Sequence, residues 1–276
     1  MDSALLLAFA VTLGAGLATG IGSTIAFFAK TTNKGFFAIS MGFSAGVMIY
    51  LSFVEILPKA TSYLSEYFSE VQAAAFAAAA LVGGLILMAI IDALVPSGAN
   101  PHENTQVELL GEANSGALED IEKQNQALLR MGLFVALAIA IHNFPEGLAT
   151  FLLVLDDPEI GIALAIAVAM HNIPEGIAVS VPVYYATKSK LKAFRLSFLS
   201  GLAEPAGAVI GYLILAQFLN HLVLGVIFAM VAGVMIFLAI DTLLPTARNS
   251  ARGHLTVYGV IAGMAVMAAS LILLRL

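Results

Sequence analysis

The chain has no cysteine and no tryptophan, and only 30 of its 276 residues are Lys, Arg, Asp or Glu. Without cysteine there is no disulfide, no thiolate metal site and no sulfur nucleophile. The shortage of charge excludes more. Charged residues make up 11% of the chain, where soluble domains carry about 25%. Apolar residues take their place: 60% of the chain is hydrophobic and its mean hydropathy is +0.97. A soluble fold of this length cannot hide so much apolar side chain from water. Soluble enzymes, nucleic-acid-binding proteins and disordered chains are therefore excluded. The formal charge of −6 says little, because the acids are unevenly placed.

What is present is a series of apolar runs, each near the 20 or so residues that cross a bilayer. Runs 3–29, 35–54 and 71–91 carry no charge. Run 127–155 is interrupted by Arg130 and Glu146, and run 160–186 by Glu175 alone. Run 196–240 has one charge, Glu204, and is long enough for two helices with Gln217, Asn220 and His221 at the turn between them. Run 255–274 is the last. The pattern predicts an all-α membrane protein of eight transmembrane helices, a single transmembrane domain over 1–276. The first run is too long for a signal peptide and lacks a basic n-region, so it reads as a retained helix.

A polar stretch, 96–126, separates helices 3 and 4 and holds six acids. Asp156, Asp157, Pro158 and Glu159 mark a tight turn, and Lys188, Lys190, Lys192 and Arg195 a basic loop. Lys and Arg gather on the cytoplasmic side of membrane proteins. With both termini outside, ten of the twelve basic residues fall inside, and only Lys59 and Arg275 outside. Both termini are thus expected outside, and loop 96–126 in the cytoplasm.

Ionisable groups within a span cost about 2.5–3.5 kcal/mol each, so each one suggests function. Helix 4 carries His142-Asn143-Phe144-Pro145-Glu146-Gly147, and helix 5 carries His171-Asn172-Ile173-Pro174-Glu175-Gly176. Consecutive antiparallel helices bring these two hexads to the same depth. His and Glu at i and i+4 share a helix face, and Asn and Glu at i and i+3 an adjacent strip. Together the hexads offer imidazole nitrogens, carboxylate oxygens and amide oxygens around one or two cations. That donor set suits Zn²⁺, Fe²⁺, Mn²⁺ or Co²⁺. Pro145 and Pro174 leave the carbonyls of Ile141 and Met170 without their helical partners. Gly147 and Gly176 allow close helix approach. Helices whose His and Glu merely hydrogen-bond to each other would not need the same HNxPEG pattern twice at matched depth.

Glu204, followed by Pro205, adds a third carboxylate within a span. Three negative charges nearly offset two divalent ions. Met48, in Gly42-Phe43-Ser44-Ala45-Gly46-Val47-Met48, has the thioether of a weak soft-metal ligand, but on sequence grounds a methionine in an apolar helix packs. Glu55, Asp92 and Asp241 each precede a proline and read as helix-end residues, either path relays or groups reaching water. His102, His221 and His254 read as solvated surface.

The two hexads, with Ser200-Gly201-Leu202-Ala203-Glu204-Pro205 and the Met48 segment, closely resemble the ZIP (Zrt/Irt-like) metal permeases, in their bacterial ZupT-type branch. The resemblance covers essentially the whole chain. It implies helices 1–3 and 6–8 related as an inverted repeat around helices 4 and 5, and a homodimer in the inner (plasma) membrane. It implies a binuclear site. One ion would take His142, Glu146, His171 and Glu175, with Met48 approaching. The other would take Asn143, Asn172 and Glu204, with Glu146 and Glu175 bridging. The implied activity is passage of divalent metal into the cytoplasm, zinc first, with iron, manganese, cobalt and cadmium as other cargo. The metal is substrate and no prosthetic group is expected. Loop 96–126 holds His102 alone, where parts of the family have a His-rich tract. The competing reading, an intramembrane metal-dependent hydrolase, would want a water-activating motif such as HExxH, which the chain lacks.

Overall fold

The computed structural model describes residues 3–28, 34–94, 118–250 and 253–274. Their regular structure is entirely helical. Eight helices among the described residues are long and apolar enough to cross a membrane: α1 (Ser3–Phe27), α2 (Gly35–Leu64), α3 (Glu70–Ala93), α4 (Leu128–Asp156), α5 (Pro158–Thr187), α6 (Lys190–Phe218), α7 (His221–Asn249) and α8 (Leu255–Leu273). Lipid offers no hydrogen bonds, so an apolar chain satisfies its backbone internally, and helices do so within one segment.

The turns fall where polar caps fix them. Asp157 accepts the Ile160 N–H at 3.3 Å and Pro158 follows it at the head of α5. Asn220 accepts the Val223 N–H at 2.9 Å and opens α7. Ser189 accepts the Lys192 N–H at 3.3 Å and opens α6.

Several boundaries differ from expectation. Lys190, Lys192 and Arg195 belong to the first turns of α6 instead of a basic loop. Long basic side chains reach water from the membrane interface, so charge there does not end a helix. Residues 118–126 are helical and continue into α4, which shortens the polar connection. The rest of that connection, with His102, lies outside the described residues, as do Lys30 and Arg252.

Glu55 and Asp241 are not at helix ends. Each sits in a π-helical turn, Ser52–Ile56 in α2 and Ala239–Leu243 in α7. Pro58 and Pro245 lie just beyond and remove the bonds to the Val54 and Asp241 carbonyls. A wider turn carries the helix past the proline: the Leu57 N–H bonds to the Ser52 carbonyl, and the Leu244 N–H to that of Ala239. Both helices therefore run on, to Leu64 and Asn249.

Two groups of helices result. In one, α1 and α4 flank α5, and α6 packs on α4, α5 and α1. In the other, α8 packs on α2, and α3 on α7. The groups meet where α2 lies on α5 and α7 on α4. Glycines set the closest approaches. A Cβ on Gly147 of α4 would strike the Glu204 backbone in α6, and one on Gly176 of α5 would strike the Thr19 carbonyl in α1.

Candidate metal centre

The hexads lie at one depth on α4 and α5. His142, Asn143, Glu146, His171, Asn172, Glu175 and Glu204 are each at most 4% exposed. The pairing is crosswise: His142 Nε2 lies 3.3 Å from Glu175 Oε1, and His171 Nε2 lies 3.0 Å from Glu146 Oε1. The i, i+4 spacing pointed to His and Glu of the same helix. It put both side chains on the face toward the other helix, and the antiparallel hairpin then set each His against the other helix's Glu.

The asparagines are held by their NH₂ groups. Asn143 Nδ2 donates to the Ser200 carbonyl at 3.3 Å. Asn172 Nδ2 donates to the Ala15 carbonyl at 2.9 Å and to the Glu204 carboxylate. Their Oδ1 atoms remain buried without a hydrogen bond. Apart from the crosswise His–Glu contacts, the same holds for both ring nitrogens of His142 and His171, both carboxylate oxygens of Glu146 and Glu175, and Oε2 of Glu204. These are eleven of the fifteen such side-chain atoms among the described residues. Leaving one buried polar atom without a hydrogen bond costs about 1–3 kcal/mol. A concentration of this kind marks a place built for a partner other than protein.

Sequence reasoning missed the hydroxyls that frame the hexads. Ser44 Oγ on α2 donates to the His171 carbonyl at 3.4 Å. Ser197 Oγ on α6 and Ser180 Oγ on α5 donate to the Gly176 carbonyl at 3.3 and 2.7 Å. The only sequence signal is small hydroxyl residues in otherwise apolar helices, which many membrane helices share.

Among the described residues no three His, Asp or Glu side chains close around one point; the donors stand in pairs. Met48 is fully buried in the apolar core that also holds Leu51, Phe228 and Met235.

Among the described residues a cavity opens the hexads toward one end of the molecule. A cavity whose atom-free space, open mouth included, is about 510 Å³ runs from His142 and Glu175 toward the start of α4 and the end of α5, past Met41, Ile139, Thr242 and Thr246. A smaller cavity shares Ala138, Leu238 and Thr242 with it and reaches Asp92. On the other side of the hexads, Leu152, Val154, Leu164 and Val168 are all buried. Glu55 is buried within its π-turn. His254 is exposed. His221 is half-buried and paired, contacting Glu66 and Asp156.

A family model described as ZIP Zinc transporter matches residues 97–271. Curated relatives named Zinc transporter ZupT are similar over nearly the full length. That of Oceanobacillus iheyensis is 56% identical over 279 residues, covering 99% of this chain and 100% of its own. That of Corynebacterium glutamicum is 55% identical over 269 residues, 98% of this chain and 99% of its own. That of Streptococcus mutans is 53% identical over 273 residues, 99% of each chain.

Proposed function

Since the chain belongs to the ZIP family of zinc transporters, we propose that it carries divalent transition-metal ions, zinc first, across the membrane by way of the two hexads. The carrying observation is the set of buried nitrogens and oxygens, without hydrogen bonds, contributed by two motifs that share the pattern HNxPEG. A hydrated cation that enters loses water and gains imidazole, carboxylate and amide donors in its place. Bound charge then sits where lone charge is costly. Membership of a transporter family sets the hydrolase reading aside.

The donor set proposed for the ions is the one the motifs imply. His142, Glu146, His171 and Glu175 hold one ion, with Met48 near it. Asn143, Asn172 and Glu204 hold a second that shares the two hexad glutamates. Free amide oxygens on both asparagines support this division. Protons and metal compete for the same lone pairs, so uptake falls in acid.

Orientation, membrane and assembly belong to the same proposal. The distribution of Lys and Arg supports termini outside and the open cavity on the cytoplasmic side. The resemblance supports a homodimer in the plasma membrane. An inverted repeat is supported by the packing: exchanging α1, α2, α3 and α4 with α6, α7, α8 and α5 leaves the pattern of contacting helices essentially unchanged.

The test is zinc uptake by the purified protein in liposomes. Glu175→Ala is expected to remove uptake, with the folded protein retained by size-exclusion chromatography. Normal uptake by that variant sinks the proposal.

A further inference from the structure

At the end of the molecule opposite the cavity, six polar side chains tie together elements from the two helix groups. Lys59, Tyr63 and Glu66 come from the end of α2 and the turn after it, Asp156 and Asp157 from the α4–α5 turn, and His221 from the start of α7. Lys59 Nζ lies 2.9 Å from Asp157 Oδ2. The Tyr63 hydroxyl donates to Asp156. His221 Nδ1 lies 2.7 Å from Glu66 Oε2, and its Nε2 lies 3.4 Å from Asp156 Oδ1. The imidazole also stacks on the Tyr63 ring, centroids 4.7 Å apart.

Two features give this cluster a role. First, it crosses the seam that has to part. Leu152, Leu164 and Val168 pack above the hexads on this side, so a cation reaches them from here only if the α4–α5 hairpin separates from α2 and α7. The contacts just described join those three elements at their ends. Second, both ring nitrogens of His221 face carboxylates. A neutral imidazole has one N–H and satisfies one of them, whereas the imidazolium satisfies both.

We propose that His221, held between Glu66 and Asp156, is a proton-operated latch that keeps this mouth of the transporter shut. With the imidazole protonated, α7 is fastened both to the segment after α2 and to the α4–α5 turn. Loss of the proton releases one of the two carboxylates and weakens the closure. The Lys59–Asp157 pair is a second strap that does not respond in the same range. Burial works against the Asp157 carboxylate, but its hydrogen bond from Lys59 and that from the Ile160 N–H hold it below its ordinary value. That strap is intact above the ordinary carboxylate range and is lost only as pH falls through the lowered value. Between about pH 5.5 and 8 the group that changes charge is His221.

The latch rests on the transport reading for its orientation, and the experiment separates the two. Acid slows uptake through competition at the hexads as well, so uptake alone is not the readout. Ala167, 1% exposed, lies one turn before His171 on the side facing the latch. Ala167→Cys gives this cysteine-free chain a single thiol there. Its reaction with a membrane-impermeant thiol reagent added outside cells is followed at pH 6 and pH 8 and divided, at each pH, by the rate for an exposed reference thiol, Ser62→Cys, because the thiolate is the reacting form and its fraction rises with pH. This ratio is expected to be roughly threefold to tenfold higher at pH 8, the range for one or two contacts between partly exposed groups. Adding His221→Gln is expected to remove the difference and fix the ratio at the higher value. Glu66→Gln, which leaves the imidazole in place, is expected to do the same and covers the case in which the first variant fails to fold. A pH difference that survives both substitutions overturns the latch, as does its absence in the Ala167→Cys protein alone. Labelling that occurs only from the cytoplasmic side, or no zinc uptake by the native protein, overturns the transport reading or its orientation instead.

Discussion

Glu204 is the residue whose chemistry is decided by charge. It is fully buried in α6 and accepts a hydrogen bond from Asn172. Three carboxylates suit two divalent ions; one ion would leave them overpaired with negative charge unless one held a proton. Asn143 and Asn172 each lie one residue past a histidine, about 100° around the helix, which is the basis for the proposed second ion. Crystals soaked in zinc are expected to show two anomalous peaks about 4 Å apart, the usual spacing of bridged pairs. In Glu204→Gln the peak by the asparagines weakens, and affinity for that ion falls at least about tenfold. A single peak, unchanged by the substitution, makes Glu204 a path or packing residue. The seven buried polar residues were legible in the sequence because ionisable groups are scarce in the spans and the HNxPEG pattern occurs twice. Ser44, Ser180 and Ser197 were not, since a serine hydroxyl matters here only through the backbone carbonyl it reaches.

Between elements, close packing rests on single missing methyl groups. Gly147 meets the Glu204 backbone in α6, while a Cβ added at Gly14 would have nothing within 4 Å. Gly147→Ala is therefore expected to lower thermal stability in detergent by about 1–3 kcal/mol, the cost of overpacking, and to move Glu204 away from Asn172. Gly14→Ala is expected to be neutral or slightly stabilising. Equal melting temperatures for the two variants would falsify the packing account. The helices themselves were legible from run length. The places where α2 and α7 end were not. An acid followed three or four residues later by proline reads as a stop, but the π-turns at Ser52–Ile56 and Ala239–Leu243 absorb the missing donor and carry the helix on.

For the molecule as a whole, the direction of insertion is read by labelling. The helix order puts the end of α2 and the end of α7 on opposite faces of the membrane. Ser62 and Asn249, both exposed, are replaced one at a time by cysteine in this cysteine-free chain. Ser62→Cys is expected to react with an impermeant reagent from outside intact cells, and Asn249→Cys only after permeabilisation. The reverse result inverts the orientation, and equal labelling refutes the eight-helix path. If the expected labelling is observed, the cavity beside His142 and Glu175 lies on the cytoplasmic side.

Local properties of the chain were enough to establish the environment, the number of spans and the polar residues of the hexads. Those follow from transfer energy and helical period, and both can be read within a single segment. The meeting of the hexads was legible too, because a short turn between antiparallel helices leaves no other depth. Three-dimensional packing was needed to set each histidine against the glutamate of the other helix, to join Glu204 through Asn172, and to open the hexads to one side. Packing alone brought His221 between Glu66 and Asp156. Those contacts join residues far apart in the chain, and they depend on how helices rotate and slide against each other, which no periodicity within a single helix encodes.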